Sequence, residues 1–413
     1  MLQAFTAFEY LLIDIANQWG LDKENYNVRL DWTKKNFNQL EDRAVNRGHW
    51  KEYPLYMKAV MALRKAQKGE STGHMMGFDA TTSGMQIMSA MTGCVKGALI
   101  TNLLDPDNRY NAYEEVYKKM REYLPALSSK VNLEDIKQAV MTTLYGSTAE
   151  PEKMFGKGTE ELAVFYKALN DVAPAACELL QLLLKSWNST ADKHSFILPD
   201  NHHVHIKVRQ VVESKLEIDE LDHSRLTYTY SIDHNNGFGL ANAANVIHAI
   251  DGYIVRTISR WSSLNKKELH KLNNLIQGEL LTRHIDNTFS SDKVTIAKSM
   301  FKNTNMPDIS LVFKMSQEDV ASLTTKHLIK VQKLLFLLLK YPAFDVVTVH
   351  DCFACSPVYV QALREYYNEI MALLAESTLM DYILSTLYGF KITYKKKSIT
   401  LPSKIRKANY AIC

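Results

Sequence analysis

Two short stretches decide how this chain is read: Phe78-Asp79-Ala80-Thr81-Thr82-Ser83-Gly84-Met85-Gln86 and Val349-His350-Asp351-Cys352-Phe353. Each places an aspartate at the end of a short apolar run, Met75 to Phe78 in one and Val346 to Val349 in the other. Both runs predict buried strands, and the second is rich in β-branched residues. A carboxylate in such a place is costly unless something pairs it. Two of them about 4 Å apart, at an effective dielectric near 20, would repel by roughly 4 kcal/mol. A shared divalent cation removes that repulsion. The pattern therefore predicts that Asp79 and Asp351 meet in the fold as metal-binding carboxylates.

Between them lies Asp135-Ile136-Lys137-Gln138-Ala139-Val140-Met141-Thr142-Thr143-Leu144-Tyr145-Gly146-Ser147. Lys137, Met141 and Tyr145 stand at i, i+4 and i+8 and share one stripe of a helix. Ile136, Val140 and Leu144 form the neighbouring stripe, so one stripe can face a core and the other a cleft. Gly146 suits the residue just past the helix end. A lysine is a compact charge suited to phosphate, and a tyrosine at a helix end can stack on a base or sugar. Each residue also has a plainer role open to it. Lys137 can be a solvated lysine, Tyr145 a packing residue, Asp79 the cap of the following helix, and Asp351 structural. The order of the three segments together weighs against those roles.

Outward from these segments the chain is mostly helical in pattern. Helices are predicted within residues 1–70, where Phe8, Leu11, Leu12, Ile15 and Trp19 recur at helical spacing, with further helices over about 31–47 and 54–68. One helix is predicted over 83–99, built on small residues, and more over 110–190, 241–261 and 358–387. His203 to Val208 alternates with period 2 after the turn Pro199-Asp200-Asn201, and segments 216–218 and 226–230 supply return strands, which predicts one long β-ribbon. Residues 263–337 are Lys-rich and helical in pattern, fitting either an exposed decoration or a surface for DNA or a partner chain. The C-terminus carries a basic tail with Lys395, Lys396, Lys397, Lys404, Arg406 and Lys407.

Composition sets outer bounds. The 413 residues are 46% hydrophobic and 23% charged, as in a soluble globular protein, and the net charge of +4 permits a nucleic-acid partner without arguing for one. Five irregularly spaced cysteines fit a reducing compartment, and Cys352-x-x-Cys355 is a weak zinc signal without a second ligand pair. The N-terminus lacks the basic region of a signal peptide. The longest apolar run, Leu334 to Leu339, is far too short to span a membrane, so no membrane partner is expected.

The order of these motifs resembles the right-handed nucleic-acid polymerases, and in detail the phage-type, single-subunit-related RNA polymerases. The family's first motif, Asp-x-x-x-Ser-Gly-x-Gln-x-x-Ser-Ala-Met, is matched by Asp79, Ser83-Gly84, Gln86 and Ser89-Ala90-Met91. Its second, Lys-x-x-x-Met-x-x-x-Tyr-Gly-Ser, is matched by Lys137, Met141 and Tyr145-Gly146-Ser147. Its third, His-Asp-Ser-Phe, is matched by His350-Asp351-Cys352-Phe353, and Asn245 to Gly252 resembles the segment whose histidine, here His248, contacts the ribose 2′-hydroxyl.

The resemblance implies an α+β, mainly helical right-hand architecture of palm and fingers, with a small antiparallel palm sheet and a projecting β-ribbon. The implied divisions are an N-terminal palm part (1–93), fingers with the ribbon at 198–232 (94–247), a palm return helix (248–262), the Lys-rich insertion (263–337) and the C-terminal palm (338–413). It implies two Mg²⁺ ions on Asp79, Asp351 and the Ala80 carbonyl, with Lys137 catalytic and Met141, Tyr145, Gly146 and His248 at the substrate. The ribbon lies where the family has its promoter-specificity loop, which makes Lys207, Arg209 and Lys215 candidate DNA contacts; a solvated hairpin is the other reading. DNA template, nascent RNA and rNTPs are the implied partners.

Departures shape the expectation further. Leu133 stands where the family has an Arg for the triphosphate, Gln138 replaces a second base beside Lys137, and Gly93-Cys94 replaces Arg-Asp. The family's Asp-x-Arg-Gly-Arg segment and its N-terminal region are not found in this chain. The chain therefore looks like the larger, catalytic subunit of a heterodimeric podovirus RNA polymerase, active in the cytoplasm of an infected bacterial host. A smaller subunit would supply the front of the palm, and a single-stranded-DNA-binding factor stays open as a further partner. Two alternatives stand beside this: a right-hand DNA polymerase, whose third motif would read His-Asp-Glu, and a non-catalytic nucleic-acid-binding remnant.

Overall fold

In the computed structural model, residues 2–42, 53–125, 131–208, 210–232, 239–283 and 291–413 are described, residues 210, 231 and 232 by their backbone alone. The site is organised by a three-stranded antiparallel sheet of β1 (Met76–Asp79), β6 (Val346–Val349) and β7 (Cys352–Cys355), in the order β1-β7-β6. Alternation gives the sheet two unlike faces. Met76 and Phe78 on β1 lie opposite Cys355 and Phe353 on β7, and all four are buried. Gly77 and Asp79 lie on the reverse face with Ala354 and Cys352. The expectation of a buried strand at 346–349 needs correction. β6 is an edge strand, and Val347 and Val349 are 52% and 64% exposed, because no strand or helix among the described residues covers the reverse face.

Helices form the rest. α1 (Ala7–Ala16) opens with a capping box between Thr6 and Glu9 and runs into a π-helical turn at Asn17–Leu21. α2 (Tyr26–Lys35) and α3 (Tyr53–Gln67) complete the N-terminal layer; the part of the predicted 31–47 helix beyond residue 42 lies outside the described residues. The helix predicted over 83–99 is two, α4 (Ser83–Thr92) and α5 (Val95–Ile100), broken at Gly93 with φ 71. A Cβ at Gly93 would come 2.8 Å from the Ser398 carbonyl oxygen, so this break is tied to the C-terminal segment. α4 is the hub: every residue from Gly84 to Thr92 is buried.

A helical layer follows: α6 (Ala112–Tyr123), α7 (Leu133–Leu144), α8 (Ala149–Phe155), α9 (Glu160–Val172) and α10 (Pro174–Lys185), of which α10 packs on α4. The long ribbon predicted over 198–232 is two separate hairpins. β2 (Lys193–Ile197) pairs with β3 (His203–Lys207), while β4 (Gln210–Ile218) pairs with β5 (Ser224–Ile232). The turn at Pro199-Asp200-Asn201 closes the first; Asp200 is held there by Arg256 (Nε–Oδ2 2.9 Å) and Arg260 (2.8 Å).

α11 (Ala241–Ser263) crosses back toward β6 and α4. The Lys-rich segment forms α12 (Lys266–Thr282), α13 (Asp292–Thr304), α14 (Ile309–Val312), α15 (Gln317–Ser322) and α16 (Thr325–Leu339). Most of its lysines face out, but Lys266 and Lys330 turn in to the carbonyls of Leu338 (2.9 Å) and Asn305 (2.8 Å), and Leu269, Leu272, Ile276, Val294, Val331 and Leu335 join the same buried cluster as the rest of the chain, so it is a packed layer. The helix predicted over 358–387 divides at Ser377-Thr378 into α17 (Val360–Glu376) and α18 (Leu379–Tyr388). The basic tail is not loose. Arg406 pairs with Glu369 and Glu376, Lys396 donates to the Ala375 carbonyl, and α19 (Leu401–Ile405) lies on α17. No single helix among the described residues is long and apolar enough to cross a membrane.

Candidate active site

Asp79 ends β1, and Asp351 closes the two-residue loop between β6 and β7. His350, with φ 54, takes the left-handed conformation that such a tight loop demands. Because β1 pairs with β7 in the register Asp79 opposite Cys352, the loop lands beside the strand end, and the Ala80 N–H donates to the Asp351 carbonyl at 3.2 Å. Two residues remote in the sequence are thus brought together. Partial burial, then the Asp351 charge, raise the Asp79 carboxyl above its ordinary value.

A third carboxyl belongs to the same neighbourhood. Asp251 on α11 is pushed up to about 6, first by burial and then by the Asp351 charge, with His350 opposing. Sequence reasoning singled out His248 on this helix and passed over Asp251. Their i, i+3 spacing puts both on one face and was the available signal.

The strand end is braced from the far side. The Asp79 N–H donates to the Cys413 carbonyl (3.4 Å), the Cys413 N–H returns a bond to the Asp79 carbonyl (3.1 Å), and Thr81 donates to Ala411 (3.4 Å). Gln86 is buried on α4. Its amide nitrogen reaches Thr81 Oγ1 (2.8 Å) and the carbonyls of Thr101 (2.8 Å) and Ala411 (2.9 Å), while its Oε1 accepts from the Tyr367 hydroxyl (2.6 Å). The motif glutamine therefore ties together the strand end, α4, α17 and the C-terminal segment. Nothing in the local sequence near 411–413 signalled that role.

α7 supplies the opposite wall. Its N-terminus carries a capping box between Asn132 and Asp135. Ile136, Val140 and Leu144 are buried while Lys137 and Met141 are exposed, as the two stripes predict. Lys137 lies 3.3 Å from Glu134, an exposed pair of small energetic weight. Gly146, at φ 94, ends the helix in a Schellman turn: its N–H donates to Thr143 and that of Ser147 to Thr142.

Tyr145 and His248 meet face to face, with ring centroids 4.6 Å apart and planes 3° from parallel. A Cβ on Gly84 would stand 3.2 Å from the Tyr145 hydroxyl oxygen, so the glycine leaves that hydroxyl room. Burial, then Asp251 and Asp351, push the Tyr145 hydroxyl up to about 12, so it stays a hydrogen-bond donor at neutral pH. Tyr113 on α6 was missed by sequence reasoning. Burial first raises its hydroxyl, with Thr82 and Lys137 opposing and Asp351 and Asp79 adding to the rise, which places it in the same neighbourhood.

The oxygen-rich donor set fits Mg²⁺. Among the described residues neither Asp79 nor Asp351 forms an ion pair, and no backbone N–H bonds the Ala80 carbonyl. The Cys352 thiol, raised by burial and then by the two aspartates, is a soft ligand that Mg²⁺ does not favour. Cys352 and Cys355 lie on opposite faces of β7, which removes the zinc reading of this C-x-x-C.

The candidate DNA contacts are dispersed. Lys207 ends β3 and Lys215 stands exposed on β4, on different hairpins. Arg209 lies outside the described residues.

Comparison with known proteins finds similarity over the first part of the chain. Residues 4–175 match the family model described as DNA-dependent RNA polymerase, a stretch that contains Asp79, Lys137 and Tyr145. A mitochondrial DNA-directed RNA polymerase of Neurospora crassa is 25% identical over 166 residues, covering 35% of this chain and 12% of the relative. A probable DNA-directed RNA polymerase of the same organism is 31% identical over 156 residues, 33% of this chain and 17% of the relative. The mitochondrial enzyme of Schizosaccharomyces pombe is 25% identical over 162 residues, 34% of this chain and 14% of the relative. The alignments thus span less than a fifth of any of these relatives. In its N-terminal two-fifths, then, this chain is similar to DNA-dependent RNA polymerases of the kind that includes the mitochondrial enzymes.

Proposed function

We propose that this chain is the catalytic part of a DNA-directed RNA polymerase that transfers rNTPs to an RNA 3′-hydroxyl on a DNA template. The observation that carries the reading is the β1–β7 pairing. It brings Asp351, outside the stretch matched by the family model, beside Asp79, inside it. In this reading β1, β6, β7 and their supporting helices are the palm, and α7 belongs to the fingers.

Asp79, Asp351 and the Ala80 carbonyl would hold two Mg²⁺, which when bound lower the pKa of the 3′-hydroxyl and offset charge on the triphosphate. Lys137 extends from the exposed stripe of α7, where it meets phosphate oxygens and can give a proton to the departing pyrophosphate. Met141, on the same stripe, flanks the incoming nucleotide. The Tyr145–His248 stack presents a hydroxyl and an imidazole edge to the ribose, the group that marks an RNA precursor. Gly146 keeps the backbone at the helix end free of a side chain where the template base arrives. Leu133 leaves Lys137 as the base on its side of α7, which fits a site completed by another polypeptide.

The wider setting belongs to the same proposal: the large subunit of a phage heterodimer in the cytoplasm of an infected bacterium, with a smaller subunit supplying the front of the palm. The test is extension of an RNA primer on a DNA template by the purified chain together with that subunit. Mg²⁺-dependent incorporation of rNTPs in preference to dNTPs is expected. Incorporation of dNTPs alone would make it a DNA polymerase, and no extension by the two chains together would leave the scaffold reading.

A further inference from the structure

The β4–β5 ribbon extends about 30 Å, at roughly 3.4 Å per residue over nine-residue strands, and its two faces differ sharply. Antiparallel register places Val212 opposite Tyr230, Ser214 opposite Tyr228, and Leu216 opposite Leu226 on one face. The other carries Glu213, Lys215, Glu217 and Arg225 with Thr227 and Thr229. On the apolar face Leu216, Leu226, Tyr228 and Tyr230 are 45–54% exposed, and the two tyrosine rings stack with centroids 5.9 Å apart. A two-stranded ribbon is marginal alone in water, yet nothing among the described residues covers this face.

Its charge has the wrong sign for DNA. Between Gln210 and Ile232 there are five carboxylates against Lys215 and Arg225, and Glu217, Asp219, Glu220 and Asp222 crowd the tip. The two bases are not free to seek phosphate equally, since Arg225 already pairs with Glu217 at 3.0 Å. Approach to a phosphate backbone would set acid against acid at the leading end. Duplex DNA also offers no apolar surface extensive enough to dry a face of two leucines and two tyrosines.

From this we infer that the β4–β5 ribbon is a docking arm for a second polypeptide, one that offers an apolar groove to Leu216, Leu226, Tyr228 and Tyr230 and basic side chains to the acidic tip. Exposed aromatics flanked by charge are the usual anchors of protein interfaces. The inference rests on the reading of the chain as one part of a larger polymerase, and it assigns this arm to assembly where the sequence suggested promoter contact.

The test places a photo-crosslinking amino acid at Tyr228 in the full chain, co-expressed with the smaller subunit and mixed with labelled template DNA. A control places it at Thr227, on the opposite face. The expected adduct from position 228 joins the polypeptide required for primer extension, at an apolar segment flanked by Lys or Arg, and is at least tenfold weaker from position 227. Crosslinking to DNA, to a second copy of this chain, or to nothing would overturn the proposal. The double substitution Leu226→Ser, Tyr228→Ser gives a second readout. It should weaken subunit association at least tenfold while primer extension at saturating partner is kept; unchanged association would refute the docking arm. If extension fails but the mapped adduct forms, the polymerase reading falls and the docking arm stands.

Discussion

Two antiparallel hairpins in this protein share a local design and differ in what lies behind them. The β6–β7 hairpin has β1 along one edge and sets Phe353 against Phe78 and Tyr367 in the core. Among the described residues the β4–β5 hairpin has neither a third strand nor a covering helix, and its apolar face is open. The first can hold two carboxyls in a defined place because their backbones are hydrogen-bonded on both sides, by Cys413 and by the Ala80–Asp351 bond. Among the described residues the second is held along its length by its own ladder and the cross-strand Arg225–Glu217 pair. Support, rather than strand pairing, separates the proposed catalytic platform from the proposed docking surface.

The contrast can be broken from either side. The largest effects belong to the platform. Asp79→Asn or Asp351→Asn should reduce Mg²⁺-dependent RNA synthesis by far more than a hundredfold in single-turnover extension while leaving the fold unchanged by circular dichroism. Near-normal synthesis by Asp351→Asn would end the metal assignment.

Next comes Asp251. Its carboxyl is raised to about 6, so protonation favours the folded state. In the metal-free protein its contribution is complete below the unfolded value near 3.8 and is lost as pH rises through 6. At about 1.36 kcal/mol per unit, the loss is at most about 3 kcal/mol. Urea unfolding at pH 5 and pH 7.5 should show this slope, and Asp251→Asn should flatten it. An equal slope in the variant would place the cause elsewhere.

Lys137→Ala should remove one charge-assisted bond of about 1.5–3 kcal/mol, a ten- to hundredfold loss in extension rate. Tyr145→Phe removes one neutral hydroxyl, about 1 kcal/mol, and should lower discrimination against dNTPs by up to roughly tenfold with RNA synthesis largely kept. Unaltered selectivity would detach Tyr145 from the sugar. The ribbon gives the smallest effect on the isolated chain: Tyr228→Ser should shift its stability by no more than about 0.5 kcal/mol. A loss of 2 kcal/mol would mean that this face is already covered.

Much of the site was legible in the sequence because it is written in local periodicity. Alternation turned Phe78 inward and Asp79 outward, and helical spacing split α7 into its buried and open stripes. Gly146 at the helix end and the helix bearing His248 were legible for the same reason. Residues whose roles depend on remote partners were not. Tyr113, the Gln86 network and the bracing by 411–413 have no local signature, because each acts through segments that meet it only after folding, and Asp251 had only its i, i+3 spacing to His248. The same gap explains why one ribbon was expected over 198–232: β3 pairs with the unnoticed strand β2, and period-2 patterning does not name a strand's partner.

By itself, then, the sequence determined which residues are candidates for the proposed chemistry and which face of each element they occupy, since side-chain direction follows from backbone period alone. Tertiary structure decided the rest: that Asp79 lies beside Asp351, that Tyr145 stacks on His248, and that one hairpin is supported while the other stands open. Those outcomes depend on long-range pairing and burial, which arise from the whole chain condensing around one core.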